Sequence, residues 1–259
     1  MSGNDSPVPT DAQLVLRTDR DGVRLLTFNR PAKRNAFNQA MWLAVTEALR
    51  DAADDDSVRC VVITGSGASF TAGQDLGEMA DPSVFANGEE PGYRALMPVL
   101  EEFRKPLVAA VNGVGVGLGL TILPHCDLVF IADTARLKAP FASLGVTTEA
   151  SASYLLPVTM GWQRAAELLF TEPWVDAPRA VELGLALRCL PEAELLPHAL
   201  DVAGRIATFA LPSLIATKTL MIAARIDAVR AARAREELEF ATLVGAAANT
   251  AALGGFLNP

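Results

Sequence analysis

With 259 residues, 51% of them apolar, the chain has material for one large domain, or a domain with a helical appendage, around a substantial core. A formal net charge of −8 argues against a nucleic-acid or anionic-membrane surface, although a local basic cluster still accommodates an anionic ligand. Three cysteines, Cys60, Cys126 and Cys189, lie in or beside apolar runs and read as buried free thiols of a reducing compartment.

The opening segment MSGNDSPVPTDA is polar and contains proline, so residues 1–12 are expected to be disordered rather than a signal or transit sequence. Strands follow at 14–18 and 23–28 around the turn Asp21-Gly22. Asn38 is placed to cap a helix reaching about residue 53, with Met41, Trp42, Val45 and Leu49 on one face. Residues 60–64, CVVIT, have the composition of a strand buried on both faces, ended by Gly65-Ser66-Gly67. After Met79 comes a loop rich in Asp, Pro, Gly and Glu, then a helix over 93–103 and a strand over 107–111. The apolar stretch 107–132 is interrupted by Asn112, four glycines, Pro124, His125 and Asp127. A lipid-facing helix would not carry these cheaply, so it reads as strand, turn, buried helix, strand.

Short strands are expected at 128–131 and 136–138. From Ser151 onward the pattern is almost wholly helical, at 165–169, 177–182, 192–209 and 213–244, the last broken in its middle. The class is therefore α/β followed by α, in a soluble, cytoplasmic protein with no nucleic-acid or membrane partner.

Two separated stretches carry most of the functional signal: Phe70-Thr71-Ala72-Gly73-Gln74-Asp75-Leu76 and Asn112-Gly113-Val114-Gly115-Val116-Gly117-Leu118-Gly119. Each places glycines where a strand gives way to a helix, leaving backbone N–H groups unpaired. Two such donors converging on one carbonyl oxygen stabilise an enolate or tetrahedral intermediate. A dinucleotide loop is a poorer reading of the second stretch. The third glycine of GxGxxG falls on none of the required positions, where Leu118, Leu120 and Ile122 stand.

With Asn29-Arg30-Pro31-Ala32-Lys33-Arg34-Asn35-Ala36 upstream, the motifs resemble, in the same order, the crotonase (enoyl-CoA hydratase/isomerase) superfamily, from about Leu14 to the C-terminus. The resemblance implies a ββα spiral core over 13–200 and a C-terminal helical trimerisation region over 201–259. It also implies a homotrimer or dimer of trimers acting on an acyl-CoA thioester, with coenzyme A as part of the substrate and no metal, nicotinamide or flavin. The oxyanion donors it implies are the N–H groups of Gln74 and Leu118. The substrate-binding set is Lys33, Arg34, Ala36, Ala72, Gly73, Gln74, Asp75, Leu76, Gly117, Leu118 and Phe141, with Lys33 and Arg34 at the nucleotide end. Leu118 stands where glycine is usual, so its isobutyl group is expected to narrow the acyl pocket.

The family's hydratases use two glutamates, and at the matching positions this chain has Thr121 and Phe141. Neither is a carboxylate base. The carboxylate remaining in this stretch is Glu149, in a segment similar to that of the peroxisomal-type Δ3,Δ2-enoyl-CoA isomerases, although Ala150 follows it where glycine is usual. One carboxylate suffices to move a proton from C2 to C4. The resemblance therefore implies an isomerase with Glu149 as its base. Glu149 could instead stabilise the helix N-terminus at Ser151. A silent acyl-CoA-binding paralogue, or a hydratase with an atypical base, also remains open.

Other residues read as structural. Asp75 and Glu78 suit the first turn of a helix. His125 and His198 lack partners at metal-ligand spacing, and Gly65-Ser66-Gly67 is not a nucleophile elbow. Arg225, Arg230, Arg233 and Arg235, with Glu236, Glu237 and Glu239, read as a solvated face or a trimer contact.

Overall fold

The computed structural model describes residues 14–81 and 92–257. The expected disordered start and most of the acidic loop after Met79 lie outside these residues. In chain order the elements are β1 (Val15–Arg20), β2 (Val23–Phe28), α1 (Gln39–Asp54), β3 (Cys60–Gly65), β4 (Ser69–Thr71), α2 (Leu76–Met79) and α3 (Gly92–Glu102). Next come β5 (Leu107–Val111), β6 (Val114–Val116), α4 (Leu118–Thr121), β7 (Leu128–Ala132), β8 (Arg136–Lys138), α5 (Ala152–Met160) and α6 (Trp162–Thr171). The chain continues through β9 (Val175–Asp176), α7 (Ala177–Glu182), β10 (Arg188–Leu190), α8 (Glu192–Ala207), α9 (Leu211–Ala223), α10 (Ile226–Leu243) and α11 (Ala247–Leu257).

The strands form two sheets. The six-stranded sheet has the order β1-β2-β3-β5-β7-β10, and the four-stranded sheet β4-β6-β8-β9. Three successive passes of the chain each place one strand in the larger sheet and the next in the smaller: β3 then β4, β5 then β6, β7 then β8. That is a ββα spiral. Apart from the β1–β2 hairpin, the pairs of the larger sheet are parallel, with Val61 opposite Leu107 and Ala109 opposite Val129. Parallel strands covered on both faces need continuous apolar sequence, and Cys60, Val61, Val62 and Ile63 are all buried.

Helix α1 begins where its cap residue dictates: Asn38 Oδ1 accepts from Met41 N–H at 3.0 Å. Its face of Met41, Trp42, Val45 and Leu49 packs into the core beneath the sheet. The helical C-terminal part divides into α9, α10 and α11, with breaks at Ala224-Arg225 and near Gly245, the latter at φ +77°. Among the described residues, no single helix is long and apolar enough to cross a membrane.

Four short strands depart from the periodicity reading. β4, β6 and β10 are three residues long and β9 is two, too short to show alternation. β10 interrupts the stretch expected to be helical because it completes the larger sheet, pairing Cys189 with Ile131. Of the arginine-rich run, Arg230 and Arg235 are exposed while Arg225 and Arg233 are partly buried. Arg233 donates to Glu101 Oε1 at 2.7 Å, Arg230 pairs with Glu102, and Arg225 donates to Pro124 O, fastening α10 to the core.

Candidate active site

The two glycine-bearing stretches meet. β4 and β6 pair in parallel, with Ser69 opposite Val114 and Thr71 opposite Gly115. At the ends of these strands Gly73 adopts φ +79°, and a Cβ there would stand 2.5 Å from Val116 O and 3.3 Å from Leu118 N. Only glycine allows this approach. A Cβ on Gly119 would lie 2.7 Å from Thr71 O, so the second contact closes the same junction from the other side.

Local pairing determines where the donors point. Phe37 and Gln74 form a parallel bridge in which Phe37 N–H donates to Gly73 O and Asp75 N–H donates to Phe37 O. Alternation along an extended strand then turns the Gln74 N–H away from Phe37. Gly117, at φ +55° and ψ −113°, caps α4, and the Leu120 and Thr121 N–H groups both donate to its carbonyl. Leu118 is the first residue of that turn and has no intrahelical acceptor. Among the described residues, neither the Gln74 nor the Leu118 N–H has a backbone partner. The Leu118 side chain is fully buried.

Of the remaining substrate-binding candidates, Ala72 and Ala36 connect the first loop to its upstream motif. Ala72 N–H donates to Arg34 O at 2.9 Å, joining the first loop to the upstream motif. Ala36 is buried there, and its carbonyl accepts from Arg30 Nη1 at 2.7 Å. Lys33 and Arg34 are exposed at the end of a short 3-10 turn, Pro31–Lys33. Asp75 caps α2 through Gly77 N–H at 3.0 Å and pairs with Arg30 at 3.0 Å, a structural role. Glu78 accepts from Gln39 N–H at the start of α1. Leu76 opens α2, and Phe141 is buried.

Glu149 reaches the same place from another part of the chain. The hydroxyl of Thr121, one helical turn beyond Leu118, lies beside its carboxylate and favours the ionised form, while donating to Gly117 O at 3.3 Å. Burial and the nearby Glu236 carboxylate push Glu149 up to about 7, against the smaller pull of that hydroxyl. A carboxylate poised there is half ionised near neutrality, the condition that suits a general base. Glu149 is not the cap of α5. That role falls to Glu236 of α10, whose two oxygens accept from Ser151 N–H at 2.7 Å and Ser153 N–H at 2.8 Å.

Sequence reasoning missed three residues that support this site. Glu236 is buried, and nothing in its charged run distinguishes it. Tyr93 Oη accepts from Ala150 N–H at 2.8 Å. His125 was considered only as a metal ligand, yet its Nε2 lies 2.9 Å from Ala150 O. A carbonyl can only accept, so Nε2 carries the proton. Burial drives His125 down to about 4, and the ring is neutral. The second imidazole, His198, packs edge-on against Phe130 at 4.8 Å.

Residues 18–256 match the family model described as enoyl-CoA hydratase/isomerase. The chain is 33% identical to the 2,3-dehydroadipyl-CoA hydratase of Escherichia coli over 94% of each chain. It is 38% identical to the peroxisomal enoyl-CoA delta isomerase 3 of Mus musculus over 69% of this chain and 57% of that one. Among solved structures, OdaA of Pseudomonas aeruginosa superposes with a TM-score of 0.90 at 37% identity, covering 96% of this chain and 100% of that one. The spiral of paired strands, the joined glycine loops and these matches place the chain in the enoyl-CoA hydratase/isomerase, or crotonase, family of acyl-CoA-processing enzymes.

Proposed function

We propose that this protein is an enoyl-CoA isomerase that converts a 3-enoyl-CoA to the 2-enoyl-CoA. The observation that carries the reading is the position of Glu149: against Thr121, one turn from the Leu118 donor, and relieved of helix capping by Glu236. The Gln74 and Leu118 N–H groups hold the thioester oxygen. Glu149 removes a C2 proton, the electron pair delocalises onto that oxygen as a dienolate, and the protonated Glu149 returns the proton to C4. The C3–C4 double bond becomes C2–C3, with no net gain or loss of atoms or electrons. Each hole donor contributes roughly 3 kcal/mol at the transition state. The step needs no metal, nicotinamide or flavin.

Hydration is less well supported, because Thr121 and Phe141 occupy the positions of the hydratases' two glutamates. Apolar side chains exposed on the single chain, Trp162, Phe170, Leu220 and Leu238 among them, support assembly as a trimer or dimer of trimers. Glu149→Gln keeps shape and hydrogen bonding but removes the base, so isomerisation should fall roughly 10²–10⁴-fold while acyl-CoA affinity holds. A wild-type rate in that variant overturns the reading. Binding without turnover in the wild-type protein would establish a silent paralogue instead.

A further inference from the structure

The base and the oxyanion hole come from segments far apart in sequence, yet one chain of contacts joins them. On the hole side, Trp42 Nε1–H donates to Gln74 Oε1 at 3.0 Å. The Trp42 ring meets the Tyr93 ring edge to face, with centroids 5.7 Å apart and planes at 82°. On the base side, Tyr93 Oη accepts from Ala150 N–H, the peptide that directly follows Glu149. Trp42 is itself held by Phe37, 4.8 Å away, and a Cβ on Gly92 would strike Trp42 Cβ at 2.4 Å. The tyrosine therefore has little room to shift.

The Ala150 peptide needs such a hold. Ala150 and Ser151 take φ +57° and +59°, left-handed backbone that residues with a side chain adopt at a cost. Such a conformation persists only where its surroundings over-determine it. Here Tyr93 takes the N–H of Ala150, His125 takes its carbonyl, and Glu236 takes the N–H of Ser151. Of the three, Tyr93 leads through Trp42 to the Gln74 side of the hole, whereas His125 leads through the Ile122 backbone to the Leu118 side.

We propose that Tyr93 is a positioning residue, bracing the Ala150 peptide against the Trp42–Gln74 pair and so setting Glu149 relative to the oxyanion donors. A base oriented by a third group, on rigid elements, is a general requirement of such sites. Because Oη accepts from Ala150, its own proton is left to donate. The charged groups that face Tyr93 are Glu149, Glu236 and Glu237, all carboxyl groups, and none of them favours a phenolate. The hydroxyl therefore stays protonated.

This inference rests on Glu149 being the base, so both residues are tested together on 3-enoyl-CoA. Tyr93→Phe keeps the ring against Trp42 and removes only the oxygen. The expected result is a fall in kcat of about tenfold with KM within about twofold. An unchanged kcat overturns the proposal. So does a fall in activity matched by an equal loss of folded protein, with kcat per folded molecule unchanged, which marks a residue acting on stability alone. A Glu149→Gln variant that retains the wild-type rate overturns the functional reading itself. If Glu149→Gln is slow and Tyr93→Phe is not, only the positioning role falls.

Discussion

Glu149 is ionised at alkaline pH in a place that disfavours the charge, so replacing it with glutamine should stabilise the fold while abolishing the reaction. Lifting a carboxyl from 4.5 to about 7 makes its ionised form about 3 kcal/mol less favourable in the folded than in the unfolded chain. Solvent reaches part of this side chain, which reduces the effect to about 1–2 kcal/mol. The direction follows from the two proton affinities. Below 4.5 both states hold the proton and the carboxyl carries no penalty. Between 4.5 and about 7 the unfolded chain releases its proton first, so folded stability declines as pH rises, and above 7 the full penalty applies. Glutamine does not titrate. Thermal unfolding should therefore give Glu149→Gln a Tm about 3–6 °C above wild type near pH 8.5, an advantage that shrinks toward zero near pH 4.5. An equal difference at both pH values, or a wild type more stable at alkaline pH, would refute the reasoning.

His125 titrates in the opposite sense. Held neutral down to about 4, it should make the fold lose up to about 3 kcal/mol as pH drops from 6.5 toward 4, and His125→Asn should flatten that decline in urea midpoints. Glu236→Ala strips the acceptors from two N–H groups at the start of α5. It should cost about 3 kcal/mol in chemical denaturation, with Glu236→Gln losing less. Removing Glu236 also removes a charge that raises Glu149, so the acid limb of kcat in Glu236→Gln should move to lower pH. Gly73→Ala puts a Cβ 2.5 Å from Val116 O at φ +79°. The hole should open and kcat fall by about 10²-fold or more, with the loss read by steady-state assay and the structural cost by Tm.

The order α/β then α was legible because its long elements carry strong local signals, Asn38 before an amphipathic face and CVVIT as a strand covered on both sides, whereas the spiral was legible only through the resemblance of the ordered motifs to the family. The junction of the two glycine loops was legible through glycines whose necessity the structure explains as contact, Gly73 against Val116 and Leu118, and Gly119 against Thr71. The supporting shell was not legible, for a physical reason. Tyr93 and His125 each act on one backbone group of Ala150, and Glu236 on the N–H groups of Ser151 and Ser153, from 25 to 85 positions away. A single hydrogen bond to a distant peptide leaves no periodicity and no motif. The anchoring of Arg233 was not legible for the same reason, since its partner Glu101 belongs to α3. The short strands β4 and β6 escaped notice although they hold the two loops of the site together, because three residues do not make a pattern.

Following the proton itself tests the central claim most directly. A 3-enoyl-CoA carrying deuterium at C2 is incubated with the wild-type protein, and the product is resolved by NMR. One carboxylate serving both carbons predicts a 2-enoyl-CoA with part of the label at C4, the remainder having exchanged with water while bound to Glu149. Substrate recovered with its label and double bond unmoved, or a 3-hydroxyacyl-CoA as the main product, would contradict it.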